Sequence, residues 1–272
     1  MISFPNCKIN LGLHILQKRK DGFHDLETIF YPIPLRDALE IIQHPSPSTD
    51  IDYSSSGLPV EGNTSDNICV KAYQLLKQDF PQLPAIKMHL HKVIPMGGGL
   101  GGGSADGAFT LVLLNRKFNL GLQEQQLIDY ALRLGSDCPF FIKNTPCYAT
   151  GRGEQLEAID LTLSGYKFII VNPGVHINTG WAFSQITPVL NRPSLKEVIF
   201  QPIRNWREHL KNDFEKPIIE RHPLIGSCIK TLYDAGAVYA AMTGSGSTVF
   251  GIFAADSIPQ FSFPAHYFVK IL

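Results

Sequence analysis

The chain has 272 residues, 44% of them hydrophobic, and its formal net charge at pH 7 is zero. This length is enough for one large domain or two modest ones with a stable core. The balanced charge excludes the strongly basic character of most proteins that bind nucleic acid or an anionic membrane, so we expect neither partner. No apolar run is as long as a membrane span, and the first residues lack the pattern of a signal peptide.

Five cysteines are scattered along the chain without a Cys-x-x-Cys pair. An odd and dispersed set argues against a disulfide framework and against a zinc site. We therefore expect reduced thiols and a cytoplasmic protein. The five residues are Cys7, Cys69, Cys138, Cys147 and Cys228.

The first predicted strand runs from Cys7 to Ile15, where apolar and polar residues alternate strictly. This period of two predicts a strand with one buried face. Lys8 and Asn10 are neighbours on the polar face, and both can donate hydrogen bonds to an anion or a hydroxyl group. The alternative is an ordinary solvated face, which this segment alone favours.

A charged turn follows, in which Asp21-Gly22 is typical of a β-hairpin. Phe23 and His24 come directly after it, before an extended pattern resumes at Leu26. Aromatic side chains beside a tight turn can stack on a base, and an imidazole can hydrogen-bond to one. The same two residues fit equally well as edge-strand packing.

Residues 39–42 predict a further strand, and the polar residues 46–62 predict a surface hairpin. Thr64 to Asn67 then offer N-cap residues ahead of apolar positions with helical spacing. A helix is therefore expected to begin at about residue 68.

Six of the seven residues from Gly97 to Gly103 are glycine. Packing does not explain such a run, because each glycine raises the entropy lost on folding; glycine instead permits positive φ and a close approach of the backbone to a ligand. Alternation in residues 86–91 predicts a strand before the run, and helical spacing from Ala105 onward predicts a helix after it. A strand, a glycine loop and a helix N-terminus bind phosphate through unpaired N–H groups and the helix dipole.

Other types of glycine-rich segment fit less well. A Walker A loop ends in Gly-Lys-Ser or Gly-Lys-Thr, whereas Ser104 is followed by Ala105 and the run has no lysine. A dinucleotide-binding fold also needs an acidic residue about twenty residues later at the end of a second strand, and residues 118–124 do not form one. A flexible linker is not expected between an alternating strand and an amphipathic helix.

A further helix over residues 127–132 is predicted to stop at Gly135, and Asp137 follows just before Pro139. A carboxylate in this place either caps the next helical turn or becomes a partly desolvated acid with a raised pKa. The sequence does not choose between these two outcomes.

The pattern changes near residue 150, which predicts two domains, 1–150 and 151–272. Residues 167–171 predict a strand, and Trp181 and Phe183 lie in a short helical stretch.

Residues 191–217 predict charged helical segments, and 217–234 predict a helix that ends by Gly236. A second glycine-serine loop, Thr243 to Ser247, precedes a predicted strand at 249–253. Such a loop suits the lining of a site, although on its own it is only a tight connection.

Three motifs in this order resemble the superfamily of galactokinase, homoserine kinase, mevalonate kinase and phosphomevalonate kinase, called GHMP kinases. They are Lys8-Ile9-Asn10-Leu11, Pro95 to Ala105, and Thr243 to Ser247. A narrower resemblance, to the superfamily members of the non-mevalonate route to isoprenoid precursors, rests on four further segments. These are Pro5 to Leu11, Asp21 to His24, Gly135 to Phe140, and Asn212-Asp213-Phe214-Glu215.

The resemblance implies an α+β fold of two domains: an N-terminal ATP-binding domain like domain 2 of ribosomal protein S5, and a C-terminal ferredoxin-like α/β domain that binds the substrate. It implies ATP-dependent phosphorylation of a hydroxyl group on a small molecule that carries a cytidine diphosphate, with ATP and Mg²⁺ as requirements. It identifies neither the metal ligands nor the oligomeric state.

The resemblance also implies roles for particular residues. Asp137 would be the catalytic base, and Lys8 would keep it ionised and orient the alcohol. The substrate would be contacted by Asn10, Phe23, His24, Thr179 and Phe183, with Phe23 and Phe183 stacking on the cytosine ring. ATP would be bound by Asn67, Lys92, Pro95, Met96, Gly97, Gly98, Gly99, Leu100, Gly101, Gly102, Gly103, Ser104 and Ala105.

Two positions depart from the resemblance. Phe23 stands where tyrosine is frequent, so a hydroxyl is lost but the stacking face remains. Asp106 brings a negative charge next to a phosphate loop, and its side chain is therefore expected to turn away from the ligand or towards a metal ion.

Two other functions remain open. One is a different enzyme of the superfamily, such as a homoserine kinase or an ATP-dependent decarboxylase, although a small aliphatic substrate would give Phe23, Trp181 and Phe183 no ring to stack on. The other is a regulatory protein that kept the fold and lost catalysis, against which Lys8, Asp137 and the complete glycine loop argue.

Overall fold

The structure, a computed structural model, describes residues 1–45, 49–189 and 192–272. The chain forms two compact units that alternate along the sequence. The first contains residues 1–7, 34–96 and 101–145, and the second contains residues 8–33, 97–100 and 146–272. The predicted single boundary near residue 150 lies close to the last of these breaks, but it does not account for residues 8–33, which pack with the C-terminal half.

The strands of the described residues, in chain order, are β1 (Ile2–Ser3), β2 (Asn6–Lys18), β3 (His24–Arg36), β4 (Ala38–Gln43), β5 (Ile51–Gly57), β6 (Ile86–Lys92), β7 (Cys147–Thr150), β8 (Gln155–Ala158), β9 (Tyr166–Asn172), β10 (Tyr239–Met242), β11 (Val249–Ala254) and β12 (Phe268–Ile271).

The α-helices are α1 (Ile68–Asp79), α2 (Gly102–Phe118), α3 (Glu124–Leu134), α4 (Cys138–Lys143), α5 (Thr179–Ser184), α6 (Leu195–Val198), α7 (Trp206–His209), α8 (Glu215–Arg221) and α9 (Pro223–Asp234). None of the helices in the described residues is long and apolar enough to cross a membrane.

The first unit contains a four-stranded sheet in the order β1-β4-β6-β5. β5 runs parallel to β6, and the other neighbours are antiparallel. Along β6 the buried Ile86, Met88 and Leu90 alternate with more exposed residues, as the sequence predicts. The predicted hairpin at 46–62 is wrong for residues 51–57, which form β5, while residues 46–48 lie outside the described part of the chain.

The second unit contains the sheet β10-β11-β9-β12 and most of the sheet β2-β3-β7-β8. Its core is formed by apolar residues of β2, β9, β10 and β11 together with helices α8 and α9. Helices and strands are mixed in both units, so the predicted α+β class is confirmed.

The prediction of a solvated face on the first strand is wrong. Within β2, both alternating sets of side chains are buried from Asn6 to Ile15. Lys8, Asn10 and His14, which belong to the polar set, are 3%, 1% and 2% exposed. Because buried polar groups are costly unless they are hydrogen-bonded, these three residues need partners inside the protein.

The helix predicted over 217–234 is observed as two helices, α8 and α9, that are separated at His222. Pro223 occupies the first position of α9, where its missing N–H is not needed. Before α8 begins, the described residues from 192 onward contain the short helices α6 and α7 and a 3₁₀ turn at Ile203–Asn205. Asn191 lies outside the described residues.

Candidate functional site

The glycine loop connects β6 to α2, as the sequence predicts. Gly97, Gly99 and Gly101 adopt positive φ angles of 66°, 83° and 69°. L-residues with a Cβ rarely adopt this conformation, so glycine at these positions is required by the path of the loop.

The helix end of the loop belongs to the first unit and can accept an anion. Gly101 is the N-cap of α2 and provides no side-chain cap, so the first N–H groups of the helix have no side-chain acceptor at that position. A Cβ placed on Gly103 would meet no atom within 4 Å. Open space beside the N-terminus of a 17-residue helix fits a phosphate group.

The other end of the loop is held within the second unit. The carbonyl groups of Gly98 and Leu100 accept hydrogen bonds from Thr248 N (3.2 Å) and Lys8 N (2.9 Å), and the Gly99 carbonyl oxygen lies 3.1 Å from Thr243 Oγ1. A Cβ on Gly99 would lie 2.0 Å from the Thr243 carbonyl oxygen. This part of the loop therefore packs directly on the second glycine-serine loop and has no room for a side chain.

Lys92 is buried within the first unit, and its ammonium contacts two carboxylates. Lys92 Nζ donates to Asp37 Oδ2 at 2.5 Å and to Asp106 Oδ2 at 2.7 Å, and all three side chains are at most 3% exposed. Burial alone would lower the pKa of Lys92, but the two carboxylates outweigh it and raise that pKa. The predicted contact of Lys92 with ATP stays a prediction that this burial does not favour.

The Asp106 side chain is buried against Lys92, and its expected orientation relative to a ligand or a metal ion stays a prediction. Burial raises the pKa of Asp106 above its ordinary value, although the Lys92 ammonium acts in the opposite direction. Its Oδ1 has no hydrogen-bond partner among the described residues. Asp37 also accepts backbone hydrogen bonds from Val93 and Ile94, so the buried triad fixes the chain at the end of β6.

Asn67, one of the four candidate caps at residues 64–67, is the N-cap of α1. Its Oδ1 accepts from Cys69 N at 2.9 Å, and its Nδ2 donates to the Tyr53 hydroxyl group at 2.9 Å. The predicted contact of Asn67 with ATP is not tested by these bonds and stays a prediction.

Lys8 and Asn10 are joined in a buried network of the second unit. Asn10 Oδ1 accepts hydrogen bonds from Lys8 Nζ (2.6 Å), Thr243 Oγ1 (3.1 Å) and Gly244 N (2.9 Å). Asn10 Nδ2 donates to Thr28 Oγ1 at 2.9 Å. The amide oxygen of Asn10 is thus fully used inside the protein, and its predicted contact with a substrate stays a prediction that this geometry does not favour.

Asp137 belongs to the first unit and precedes α4. It occupies the N-cap position, but its side chain makes no capping hydrogen bond, so capping, the first of the two predicted outcomes, is not observed. The carboxylate is half-buried. Lys8 lies in the other unit, and the pairing of these two residues stays a prediction.

The thiol of the neighbouring Cys138 is buried. Burial raises the pKa of Cys138 to about 12, although a hydrogen bond with Ser104 acts in the opposite direction. Because the thiolate is the nucleophile, a raised pKa disfavours a reactive thiol at this position near neutral pH. All five cysteines are buried, and none of them forms a disulfide bond.

The predicted substrate-binding aromatic residues lie in the second unit. Phe23 is 50% exposed, and the Arg152 guanidinium lies over its ring, 4.0 Å from the centroid. His24 stacks on Phe183 with ring centroids 4.8 Å apart. Burial and the nearby Lys18 lower the pKa of His24, which favours a neutral imidazole.

Thr179, at the start of α5, is exposed, and its hydroxyl lies 3.2 Å from Ser245 Oγ. It is therefore adjacent to the second glycine-serine loop.

The sequence did not predict the roles of Asp37, Thr28 and Arg152, because an isolated polar residue beside a turn or inside a strand carries no local signal of its partner.

A second buried ionic cluster links three strands to α6. Glu27 is 4% exposed and accepts hydrogen bonds from His14 (2.9 Å), the Tyr148 hydroxyl (2.7 Å), the Ser194 hydroxyl (2.7 Å) and Leu195 N (3.1 Å). Burial would raise the pKa of Glu27, but these hydrogen bonds outweigh it and lower the pKa to about 2.

This cluster predicts an acid-dependent loss of stability. The folded pKa of Glu27 is depressed, so its contribution is present above its ordinary pKa of 4.5 and is lost as the pH falls towards about 2. We expect Glu27→Gln to lose about 3 kcal/mol of unfolding free energy at pH 7 and progressively less below pH 4.5. Urea unfolding between pH 7 and 3 measures this difference. Glu157→Gln, at an exposed ion pair, serves as control, and a Glu27 difference that does not change with pH contradicts the prediction.

Comparison with known proteins agrees with this geometry. The family profile "GHMP kinases N terminal domain" matches residues 67–144, and "GHMP kinases C terminal" matches residues 193–261. Fold, glycine loop and both profiles define the class of the protein: it is a small-molecule kinase of the GHMP type.

Individual relatives narrow this class. A 4-diphosphocytidyl-2-C-methyl-D-erythritol kinase of Bacteroides fragilis is 51% identical over 268 residues, which cover 98% of this chain and 97% of that protein. A protein of the same name from Bacteroides thetaiotaomicron is 49% identical over 96% of this chain and 95% of its own. The crystal structure of a 4-(cytidine 5'-diphospho)-2C-methyl-D-erythritol kinase, at 27% identity, has a TM-score of 0.80 and covers 93% of this chain and 90% of that one. The chain belongs to the 4-diphosphocytidyl-2-C-methyl-D-erythritol kinase family.

Proposed function

We propose that the protein transfers the γ-phosphoryl group of ATP to the 2-hydroxyl of 4-diphosphocytidyl-2-C-methyl-D-erythritol, which gives the 2-phosphate and ADP. This is a step of the non-mevalonate route to isoprenoid precursors. The identity of 51% to a kinase of that name, over nearly the whole chain, carries the proposal.

ATP would bind through its phosphates at the glycine loop. Phosphoryl transfer depends on positioning and on positive charge near the developing oxyanions. Since the loop has no lysine, the N–H groups at the start of α2 would supply much of that charge. Mg²⁺ bound with ATP would supply the rest; among the described residues, no three His, Cys, Asp or Glu side chains are grouped to hold a metal. A metal that arrives with the nucleotide fits that finding.

The two ends of the loop should respond differently to a methyl group. We expect Gly103→Ala to fold normally, because open space surrounds that position, and to weaken ATP binding about tenfold by blocking the space for a phosphate. Gly99→Ala combines a clash with the Thr243 carbonyl and a φ of 83°, so we expect it to cost roughly 1–3 kcal/mol of stability.

Thermal unfolding and ATP titration of both variants test this contrast. Gly165→Ala, also in open space but outside the loop, is the matched control and should change neither quantity. If the Gly103 variant binds ATP as tightly as the wild-type protein does, the phosphate does not bind at that part of the loop.

The reaction needs a base for the attacking alcohol. Asp137 would accept the hydroxyl proton as the oxygen attacks the γ-phosphorus, and the Lys8 ammonium would keep Asp137 ionised and orient the alcohol. The same positive charge would stabilise negative charge on the transferred group. The Asn10 amide would hold that ammonium in place through its 2.6 Å hydrogen bond.

The cytosine ring would be bound by the aromatic residues of the second unit. Arg152 covers one face of Phe23, which leaves the opposite face for the ring. His24 already covers one face of Phe183, so a ring sandwiched between Phe23 and Phe183 would use the other face or replace His24. Thr179 is placed to donate a hydrogen bond. Five buried cysteines without a disulfide bond fit a cytoplasmic location.

The direct test is ADP release from ATP and Mg²⁺ with 4-diphosphocytidyl-2-C-methyl-D-erythritol, run beside homoserine and mevalonate. Turnover with the cytidyl substrate alone supports the proposal. Turnover with a small alcohol instead would support phosphate binding at the glycine loop but contradict the proposed cytidyl substrate. ATP binding without any turnover would indicate a regulatory protein.

A further inference from the structure

The Asn212-Asp213-Phe214-Glu215 segment has no place in the reaction described so far, yet it lies inside the second unit. Asn212 is 4% exposed. Leu13 N donates to the Lys211 carbonyl at 2.8 Å, and Asp213 N donates to the Leu13 carbonyl at 2.9 Å. The segment therefore extends the edge of β2, the strand that carries Lys8 and Asn10.

Whereas the backbone of the segment pairs with β2, the Asn212 side chain binds the end of β10 and the second glycine-serine loop. Its Nδ2 donates to two backbone carbonyls, Met242 O at 2.8 Å and Gly244 O at 2.9 Å. Its Oδ1 accepts from Phe214 N at 3.0 Å, which fixes the orientation of the amide. Both donor hydrogens are thus used, one on the last residue of β10 and one on the loop that follows it.

Asp213 and Glu215, the neighbours of Asn212 in the segment, make further hydrogen bonds that hold the segment in place. Asp213 Oδ2 accepts from Ile15 N at 2.7 Å, and the Arg192 guanidinium binds Asp213 through two bonds of 2.6 Å. Glu215 Oε1 accepts from Met242 N at 2.7 Å. The segment is attached to β2 on one side and to the end of β10 on the other.

The second glycine-serine loop, which Asn212 binds, also donates hydrogen bonds to Asn10. Gly244 N and Thr243 Oγ1 both donate to Asn10 Oδ1, the atom that also accepts from Lys8 Nζ. A continuous path of hydrogen bonds therefore leads from Asn212 through Gly244 and Asn10 to the Lys8 ammonium. Lysine has a flexible stem, so the position of its ammonium depends on its contacts, which include the Asn10 acceptor and the Phe30 ring, whose centroid is 4.9 Å from Nζ.

We propose that Asn212 is a positioning residue for catalysis: by binding the Gly244 carbonyl it fixes residue Gly244, whose N–H holds Asn10 in the orientation that aims the Lys8 ammonium at the transferred phosphoryl group. This inference rests on the proposed function, in which Lys8 assists the transfer. Asn212 contacts neither ATP nor the cytidyl substrate in this scheme.

Asn212→Asp tests the inference, because it preserves size and removes the donor. A carboxylate would then face two carbonyl oxygens, which repel it. We expect kcat to fall about tenfold or more, while the KM values for ATP and for the cytidyl substrate stay within about twofold. Asn115→Asp is the matched control: Asn115 also donates to a backbone carbonyl, Leu122 O at 2.9 Å, but lies in the first unit, and its kcat should be unchanged.

The decisive readout is the same substitution in a Lys8→Met background, measured on the residual rate. If Asn212 acts through Lys8, Asn212→Asp will change kcat of the Lys8→Met enzyme by less than about twofold. An equal loss in both backgrounds, or a loss only of thermal stability, would overturn the inference. Asn212→Ser, which keeps one donor, extends the test should the Asp variant fold poorly, and it should lose less kcat than Asp.

Failure of the proposed function gives a different pattern. If Lys8→Met alone turns over the cytidyl substrate at the wild-type rate, the catalytic role of Lys8 is wrong. If wild-type enzyme does not turn over that substrate, the proposed reaction is wrong. Both results are obtained without any Asn212 variant, so they separate a failure of the proposed function from a failure of the inference about Asn212.

Discussion

Asp137→Asn is expected to lower kcat by about 10²–10⁴-fold, the range that a positioned general base contributes. The amide is nearly isosteric with the carboxylate but accepts no proton from the attacking alcohol. Asp137 makes no capping hydrogen bond to α4, so the substitution should leave that helix intact. ATP affinity should stay within about twofold, since the phosphates would be held by the glycine loop.

Single-turnover measurement with saturating ATP separates the chemical step from product release, and nucleotide titration gives the affinity. Asp129→Asn, at an exposed position of α3 in the same unit, is the control for loss of one carboxylate. If the Asp137 variant turns over near the wild-type rate, Asp137 is not the general base of the reaction.

Lys92→Met is expected to destabilise the first unit by roughly 3–5 kcal/mol, because it leaves two buried carboxylates without their cation. That is a large part of the roughly 5–15 kcal/mol by which a typical protein is stable. Lys87→Met is a closely matched control: Lys87 lies on the same strand but is 45% exposed, and its ion pair with Asp52 is 3.7 Å long. We expect that variant to lose at most about 1 kcal/mol.

Urea unfolding gives both values, and a second substitution identifies the cause. If uncompensated charge is responsible, adding Asp106→Asn to the Lys92→Met variant will recover part of the stability. If Lys92 instead binds ATP directly, the Lys92 variant will keep its stability and lose nucleotide affinity. That outcome would contradict the structural role and restore the contact expected from the sequence.

The sequence by itself determined the elements around the glycine loop. Alternation in residues 86–91 and helical spacing after Ala105 are local patterns, and a strand and a helix occur there. Asn67 could be identified as a cap from its position before an apolar helix, because capping involves only neighbouring residues. The order of three short motifs was enough to indicate the superfamily that the comparisons confirm.

Only the tertiary structure decided which polar residues are buried and with what partners. The polar face of β2 has the same alternating pattern whether water or protein covers it, and in this chain Thr28, Thr243 and Gly244 provide partners for Asn10. Lys92, Asp37 and Asp106 meet across 55 and 14 residues of sequence. Hydrogen bonds and ion pairs of this kind depend on distances that the chain creates only by folding, so no local period or spacing could specify them.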